Sequence, residues 1–492
     1  MTSGNTHRIR GYAPAAQAWT TGLADPDHAV PDLAGTLTAD PAALDRASRD
    51  LGRLVTRRPG AVLHPASVAD VEAMVAFCAA RGIAVSARGE AHTTDGQGLT
   101  DGLVITTGPL NRLVGLDLDA GVVDVEAGAQ WIDLVRALAT QGLRVACALT
   151  GYLRLTLGGT LSVGGIGADY GRGCQVGGVR GLEVVTPAHG RLWCSETEHP
   201  DLFDAALAGL GQVGVITRFR IAVEPAPATA RVFQLDYPDA EGFFRDAGLV
   251  LDRDEFDEVF CMVHPAAVAG GAPVYQLNAT RFTAPGEAAV EDAVLLRGLA
   301  VAPTSAMTTS YLEQAEAATH MIDGVRARED WDDRAKPWFD VFLPDEAVRA
   351  FVEPVVGALS REEFDGPPTS FVLLHPQRTA TVTRPLLRVP ESDSGWFWLF
   401  DVLTVWPGDA DFAARMRERN RALEAAAEPV GGLLYQIGTS DRSPEKWARH
   451  YGPQWERVVA AKDRYDPRRI MTRGAGVHPV PVEDADRARS AR

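Results

Sequence analysis

The sequence predicts an α+β protein of two domains, on three observations. Its 492 residues exceed what one hydrophobic core usually organises. Strand-like and helix-like patterns alternate at short spacing from residue 61 onward, as expected for helices packed on a sheet. Pro225-Ala226-Pro227 then closes an apolar strand and precedes a region richer in aromatic and β-branched strands. The expected boundaries are an irregular N-terminal arm (1–32), a first domain (33–226), a second domain (227–440), a return to the first (441–480) and a tail (481–492).

The elements follow in order. Residues 1–32 are rich in Pro, Ala and Asp without sustained periodicity. Asp40-Pro41 is a helix start signal for 42–51. Ser67 as N-cap, Asp70 in the first turn and Val71, Met74, Val75 and Cys78 at i, i+3, i+4, i+7 predict a helix to Arg81, ended by Gly82. Strands are expected at 83–86, 103–106, 122–127 and 144–148, with a helix at 130–140. Runs 181–186 and 191–195, joined by Pro187-Ala188-His189-Gly190, predict a hairpin. A helix at 201–208 leads to a strand at 215–223. Further on, 232–237 and 396–405 read as strands and 410–427 as a helix. Trp396, Trp398 and Phe400 alternate along one strand face, which is expected to be core rather than a substrate wall. There is no internal repeat, and the tail after Val480 is expected to be disordered.

Bulk properties exclude several functions. Forty-eight basic against 65 acidic residues give a net charge of −17, which argues against nucleic acid or an anionic membrane as partner. The five cysteines form no C-x-x-C pair and no zinc spacing, so they are expected to be reduced, with no metal site. Met1 to Tyr12 is polar and basic without an apolar h-region, and no run approaches the roughly 20 apolar residues of a spanning helix. A cytoplasmic protein is expected.

Two segments carry chemistry. The apolar run Ile83 to Val85 stops abruptly in Ala87-Arg88-Gly89-Glu90-Ala91-His92-Thr93-Thr94-Asp95-Gly96-Gln97-Gly98, a polar loop with one histidine. Such a loop can bring backbone N–H groups close to a phosphate. By itself, His92 would read as a surface histidine. The second segment, Gly158-Gly159-Thr160-Leu161-Ser162, offers N–H donors and hydroxyls suited to a diphosphate, or a plain structural turn. Gly209-x-Gly211-x-x-Gly214 satisfies the dinucleotide fingerprint formally, but a helix precedes it and a strand follows it. That is the reverse of the Rossmann order, and it argues against a nicotinamide dehydrogenase.

Together the 88–97 loop, the run from Tyr152 to Gly167, and Leu202-Phe203 followed by Gly209 to Thr217 resemble the flavin-linked oxidases of the vanillyl-alcohol oxidase type, which carry a PCMH-type FAD-binding domain. They are similar in particular to the cytokinin dehydrogenases. In those enzymes the loop reads Arg-Gly-x-Gly-His-Ser-x-x-Gly-Gln, and its histidine is joined covalently to FAD. Leu33 to Leu37, Asp40-Pro41, Ala61 to Pro65 and the closing Tyr465-Asp466-Pro467-Arg468-Arg469-Ile470 extend the resemblance; Pro337 to Pro344 matches a substrate-domain segment in part. The resemblance implies an FAD domain plus an α/β substrate domain with an antiparallel sheet. FAD would be bound by Arg88, Gly89, Glu90, Ala91, His92, Thr93, Gln97, Thr156, Gly158, Gly159, Thr160, Ser162, Gly214 and Ile216, and linked through His92.

The implied reaction is hydride transfer from a small amine or alcohol to flavin, with oxygen or a quinone-like molecule as final acceptor, in a monomer or homodimer. Three departures stand out. Gly151 occupies the place of the aspartate that is the family's proposed proton acceptor, which argues against cytokinin as the substrate. Arg473-Gly474-Ala475 replaces Pro-Gly-Gln, and the loop 168–175 is one residue shorter than its counterpart. Asp169, Tyr152, Tyr170 and Tyr435 are the candidate replacements for the base, each with an ordinary turn or packing role as the alternative. The other readings are a carbohydrate or alkaloid oxidase of the berberine-bridge kind, for which no cysteine sits at the second attachment point, and a flavin-binding protein without redox turnover.

Overall fold

The computed structural model describes residues 7–22, 28–264, 271–328, 330–359, 363, 370–406, 410–440 and 442–479. The expected tail lies outside the described residues. The arm is less irregular than expected: β1 (Gly11–Ala13) and β2 (Ala18–Thr20) pair antiparallel. Tyr12 meets Trp19 edge-on, and Trp19 stacks on Phe77, so a few aromatic anchors order a segment that has no periodicity.

A four-stranded sheet follows, built from β3 (Thr36–Thr38), β4 (Ala61–His64), β5 (Val85–Arg88) and β6 (Leu103–Thr106) in the order β3-β4-β6-β5. β6 runs parallel to both β4 and β5, with α1 (Pro41–Ala47) and α2 (Val68–Arg81) in the connections. Gly82 closes α2 in the left-handed region at φ 70°. Ser67 occupies the N-cap position but makes no cap bond there. Instead the buried Asp70 carboxylate accepts from the N–H groups of Ala34, Gly35 and Ala66, tying the N-terminal strand to this helix. Asp70→Ala is expected to cost about 2–4 kcal/mol of stability, because it orphans these donors; urea unfolding measures it.

A six-stranded antiparallel sheet comes next, from β7 (Leu113–Asp117), β8 (Val122–Glu126), β9 (Leu143–Val145), β10 (Val179–Thr186), β11 (Gly190–Cys194) and β12 (Val215–Pro225). Its order is β11-β10-β12-β8-β7, with β9 also on β12. α3 (Trp131–Ala139), α4 (Leu157–Leu161) and α5 (Pro200–Ala206) sit in its connections. The predicted hairpin is β10 and β11.

The third sheet is eight-stranded and antiparallel throughout: β13 (Thr229–Tyr237), β14 (Glu258–His264), β15 (Val274–Thr283), β16 (Ser305–Ser310), β17 (Phe339–Pro344), β18 (Phe371–Arg378), β19 (Trp396–Leu403) and β20 (Leu433–Leu434). The order is β16-β13-β15-β14-β18-β19-β17-β20. α6 (Ala240–Arg253), α7 (Asp292–Leu295), α8 (Tyr311–Arg328) and α9 (Asp345–Ala358) connect its strands. The chain then runs through the helix Ala410–Ala427 and returns as helices Pro444–Tyr451 and Trp455–Tyr465 to the core beneath the six-stranded sheet. Trp396, Trp398 and Phe400 do form core, with Trp398 against Phe244 of α6 and Phe400 against Phe351 of α9. The alternate residues of β19, Leu399, Asp401 and Leu403, face a large cavity. Among the described residues no helix is long and apolar enough to cross a membrane.

Candidate active site

The cavity measures about 1060 Å³ and lies between the 88–97 loop, α4 and the start of β12 on one side and the eight-stranded sheet on the other. Arg88, Gly89, Glu90, Ala91, His92, Thr93, Gln97, Thr156, Gly158, Gly159, Thr160, Ser162, Gly214 and Ile216 all line it, together with Tyr152, Asp169 and Tyr435. Tyr170 does not.

β5 ends at Arg88, and the chain then turns through Ala91 at φ 50°, a left-handed conformation that a residue with a Cβ resists. The loop is fastened from behind. Gln97 donates through Nε2 to the carbonyls of Ile437 and Gly438, Thr94 bonds Ile437 through its N–H and its hydroxyl, and Asp50 accepts from Gly96 N–H and Thr93 Oγ1. The consequence is a row of backbone N–H groups, Gly89 to Thr93, with no protein acceptor among the described residues. Such a row is an anion-binding nest. Ala91→Gly is expected to keep this geometry and to leave stability unchanged or raised by up to ~1 kcal/mol, since relief of left-handed strain offsets the added unfolded-state entropy. A thermal melt checks it.

His92 stands at the cavity wall with its ring 5.6 Å from that of Trp338 and 5.9 Å from that of Tyr152. Burial, then the positive charges of Arg326 and Lys336, lower its pKa to about 4. The imidazole is therefore neutral at pH 7 and keeps a free lone pair, the form able to bond to carbon. Arg88 is half-buried and is not a free charge: its guanidinium donates to the carbonyls of Arg46 and Arg49 at the end of α1. Glu90 accepts from Gln130.

The glycine pair of α4 differs from expectation. Leu157 and Gly158 donate their N–H groups to the carbonyls of Ala129 and Ala127, and Gly159 donates to Thr156 Oγ1. Thr160 Oγ1 accepts from Trp131 Nε1, and Ser162 Oγ donates to the carbonyl of Gly158. These donors are thus consumed within the fold, so the segment supplies a close, bare wall rather than a diphosphate cradle. The free donors sit in the histidine loop instead. Around Gly209 to Gly214 the order is α5, turn, β12, as expected, with Leu210 and Gly211 in the left-handed region.

Of the four base candidates, Tyr170 is corrected outright. It is 1% exposed, packs edge-on against Trp396 and donates its hydroxyl to the carbonyl of Phe256, away from the cavity. Tyr152 lines the cavity, but its hydroxyl is engaged by Arg326 and Asp323. Tyr435 accepts from Gly165 N–H at 3.1 Å, and burial raises its pKa. Asp169 pairs with Arg172 at 2.9 Å; burial and then the carboxylate of Glu258 nevertheless raise its pKa to about 8. At Gly151 a Cβ would meet only that of Ala318, at 3.6 Å, so there is room for a side chain but no base.

Three functional-looking groups escaped sequence reasoning. Asp340 of β17 and Asp401 of β19 both line the cavity, directly opposite each other in the ladder. Lys336 is fully buried, donates to the carbonyls of Trp331 and Arg334, and has its pKa lowered to about 7 by burial. The legible signal was a lone acidic residue in each of two otherwise apolar strands, Phe339-Asp340-Val341-Phe342 and Leu399-Phe400-Asp401-Val402.

The donor row, the neutral imidazole and the cavity's size together fit FAD with a small substrate beside it. The comparisons agree. Residues 59–195 match the family described as FAD binding domain, and residues 266–478 match that described as cytokinin dehydrogenase 1, FAD and cytokinin binding. An uncharacterized oxidoreductase of the fasciation locus of Rhodococcoides fascians is 31% identical over 90% of this chain and 99% of its own length. Cytokinin dehydrogenase 1 of Oryza sativa subsp. japonica is 31% identical over 91% of this chain and 92% of its own. The crystal structure of 6-hydroxy-D-nicotine oxidase from Arthrobacter nicotinovorans matches with a TM-score of 0.70 at 20% identity, covering 92% of this chain and 99% of that one, which is a likeness of fold.

Proposed function

The chain belongs to the cytokinin dehydrogenase family of FAD-dependent oxidoreductases, and from that premise we propose that it oxidises a small amine or alcohol, with its flavin joined covalently to His92. The observation that carries this reading is the loop itself: a neutral histidine next to a row of unpartnered N–H groups at the wall of one large cavity. When bound, FAD supplies the two-electron acceptor for the hydride leaving a substrate carbon.

The residues of the chain supply the rest. The Gly89 to Thr93 N–H groups would hold the diphosphate, and Gln97, Thr94 and Asp50 keep that loop in place. Trp331, Trp338, Leu373, Leu399 and Leu403 make the substrate side apolar and exclude water. Gly151 offers no side chain where the resemblance to the cytokinin dehydrogenases implies their proposed proton acceptor, so cytokinin is not the proposed substrate. We place residues 33–226 and 441–480 on the flavin side and 227–440 on the substrate side. Oxygen or a quinone-like molecule is the proposed acceptor. The five cysteines are all free, which supports a reducing, cytoplasmic location.

Anaerobic mixing of the purified yellow protein with a panel of amines and alcohols tests the reaction. Bleaching of the flavin absorbance by at least one of them is expected, with the carbon–heteroatom bond oxidised in the recovered product. No bleaching across the panel would favour a flavin protein without turnover.

A further inference from the structure

Asp340 and Asp401 are direct partners across the β17–β19 ladder, and each is almost completely buried, at 1% and 5% exposure. Among the described residues, both oxygens of Asp340 and Oδ1 of Asp401 accept from no N–H or hydroxyl and no cation lies beside them; the partner each carboxyl has is the other, in a side-chain hydrogen bond that needs a shared proton. A second orphan faces the same space. Trp338, 6% exposed and two residues before Asp340 along the chain, presents an Nε1–H with no acceptor. Buried polar atoms without partners at a cavity wall are what a site for a hydrogen-bonding ligand leaves behind.

The pair also adjoins the flavin loop. Trp338 is the ring neighbour of His92, and Asp340 Oδ2 presses on Gly438, where a Cβ would come within 2.3 Å of it. Gly438 in turn gives its carbonyl to Gln97 of the loop. Two short contact paths therefore join the carboxyls to the histidine that we assign to the flavin.

We propose that Asp340 and Asp401 act as one proton-accepting pair, taking the N–H or O–H proton of the substrate in place of the absent aspartate at position 151. The proposal rests on the flavin reading above. In the step, the substrate C–H bond would break with its hydrogen and bonding electron pair leaving together, as hydride, to the oxidised flavin. The N–H or O–H proton goes to a carboxylate oxygen of the pair, and the C=N or C=O bond forms. The pair releases its proton to solvent when the product leaves.

Two opposed carboxyls in a dry site cannot both ionise readily. Burial raises Asp340 to about 7, held back by its hydrogen bond with Asp401, while burial and then the charge of Asp340 raise Asp401 well above the ordinary carboxylate value, so near neutral pH the pair keeps one proton and gains one negative charge. The other titratable groups around it are His375 on β18, Tyr435 after β20, Lys336 before β17, and Arg419, which is paired with Glu363. His375 is neutral, its pKa lowered to about 4 by burial, and the Lys336 and Arg419 cations are engaged elsewhere. Because the folded chain holds these protons more tightly than the unfolded one, wild-type stability should fall as pH rises from 3.8 towards about 7.

The test uses the purified holoprotein with Asp340→Asn, Asp401→Asn and Asp401→Glu, and with benzylamine and benzyl alcohol as probes. In the wild type the flavin spectrum is expected to shift as pH rises through neutrality, and flavin bleaching by a reacting probe to accelerate over the same range. Both Asn variants should keep full flavin content, lose the spectral shift, flatten the fall of thermal stability with pH and bleach ~100-fold more slowly; Asp401→Glu should retain the shift. Asn variants with full flavin that titrate and bleach like wild type would overturn the proposal, and the spectral shift decides even for a probe that does not react. A wild-type protein without flavin is a different result, one that overturns the parent reading.

Discussion

His92→Ala is expected to abolish acid-stable flavin completely. After acid precipitation the wild-type pellet should be yellow, whereas the variant should yield a colourless pellet and leave its flavin in the supernatant. Three features of the site lead to this result. The imidazole is neutral, so its lone pair is available; it sits at the wall of the cavity; and it follows directly on the left-handed turn at Ala91 that brings the unpartnered N–H groups forward. Those donors do not depend on the histidine ring, so the variant should still bind some flavin reversibly. Because the ring packs beside Trp338 and Tyr152 and bonds only the backbone of its own residue among the described residues, folding stability should change little.

The largest effect on stability is expected at Asp466→Ala, which should lose about 3–5 kcal/mol, because it leaves the Lys462 ammonium buried without its counter-charge. The two side chains are 0% and 1% exposed and 2.9 Å apart. Lys462 also donates to the carbonyls of Gln212 and Met471, while Asp466 accepts from the N–H groups of Ile470 and Met471. This latch fixes the segment whose Ile470 carbonyl and Thr472 N–H bond Val85 of β5, the strand that leads into the histidine loop. Flavin retention should therefore fall together with stability. Urea unfolding and flavin content measure the two. A double change, Lys462→Met with Asp466→Leu, should recover part of the loss, because it removes the stranded charge.

How far the sequence reached depended on whether a feature was local. α2 was legible from its apolar spacing, Asp70 and Gly82, and the reversed order around Gly209 to Gly214 was legible because helix and strand patterns flank it. The histidine loop could be located for the same reason: an apolar strand stops and a polar, glycine-punctuated run begins. Its mechanism could not. Which N–H groups stay free is decided by distant acceptors: the carbonyls of Ala127 and Ala129 occupy the glycine run of α4, while no acceptor among the described residues meets the N–H groups of Gly89 to Thr93. The direction of Tyr170 was equally hidden, since the carbonyl that holds it belongs to Phe256. Asp340 and Asp401 are joined only by strand register, which no local pattern encodes.

The most direct test of the central claim is mass analysis of the proteolytic peptide that contains His92, isolated from the denatured holoprotein. The account predicts a peptide carrying one FAD on His92, coloured and absent from the His92→Ala digest. Recovery of the same peptide unmodified and in full yield, with all flavin in the protein-free fraction, would contradict it.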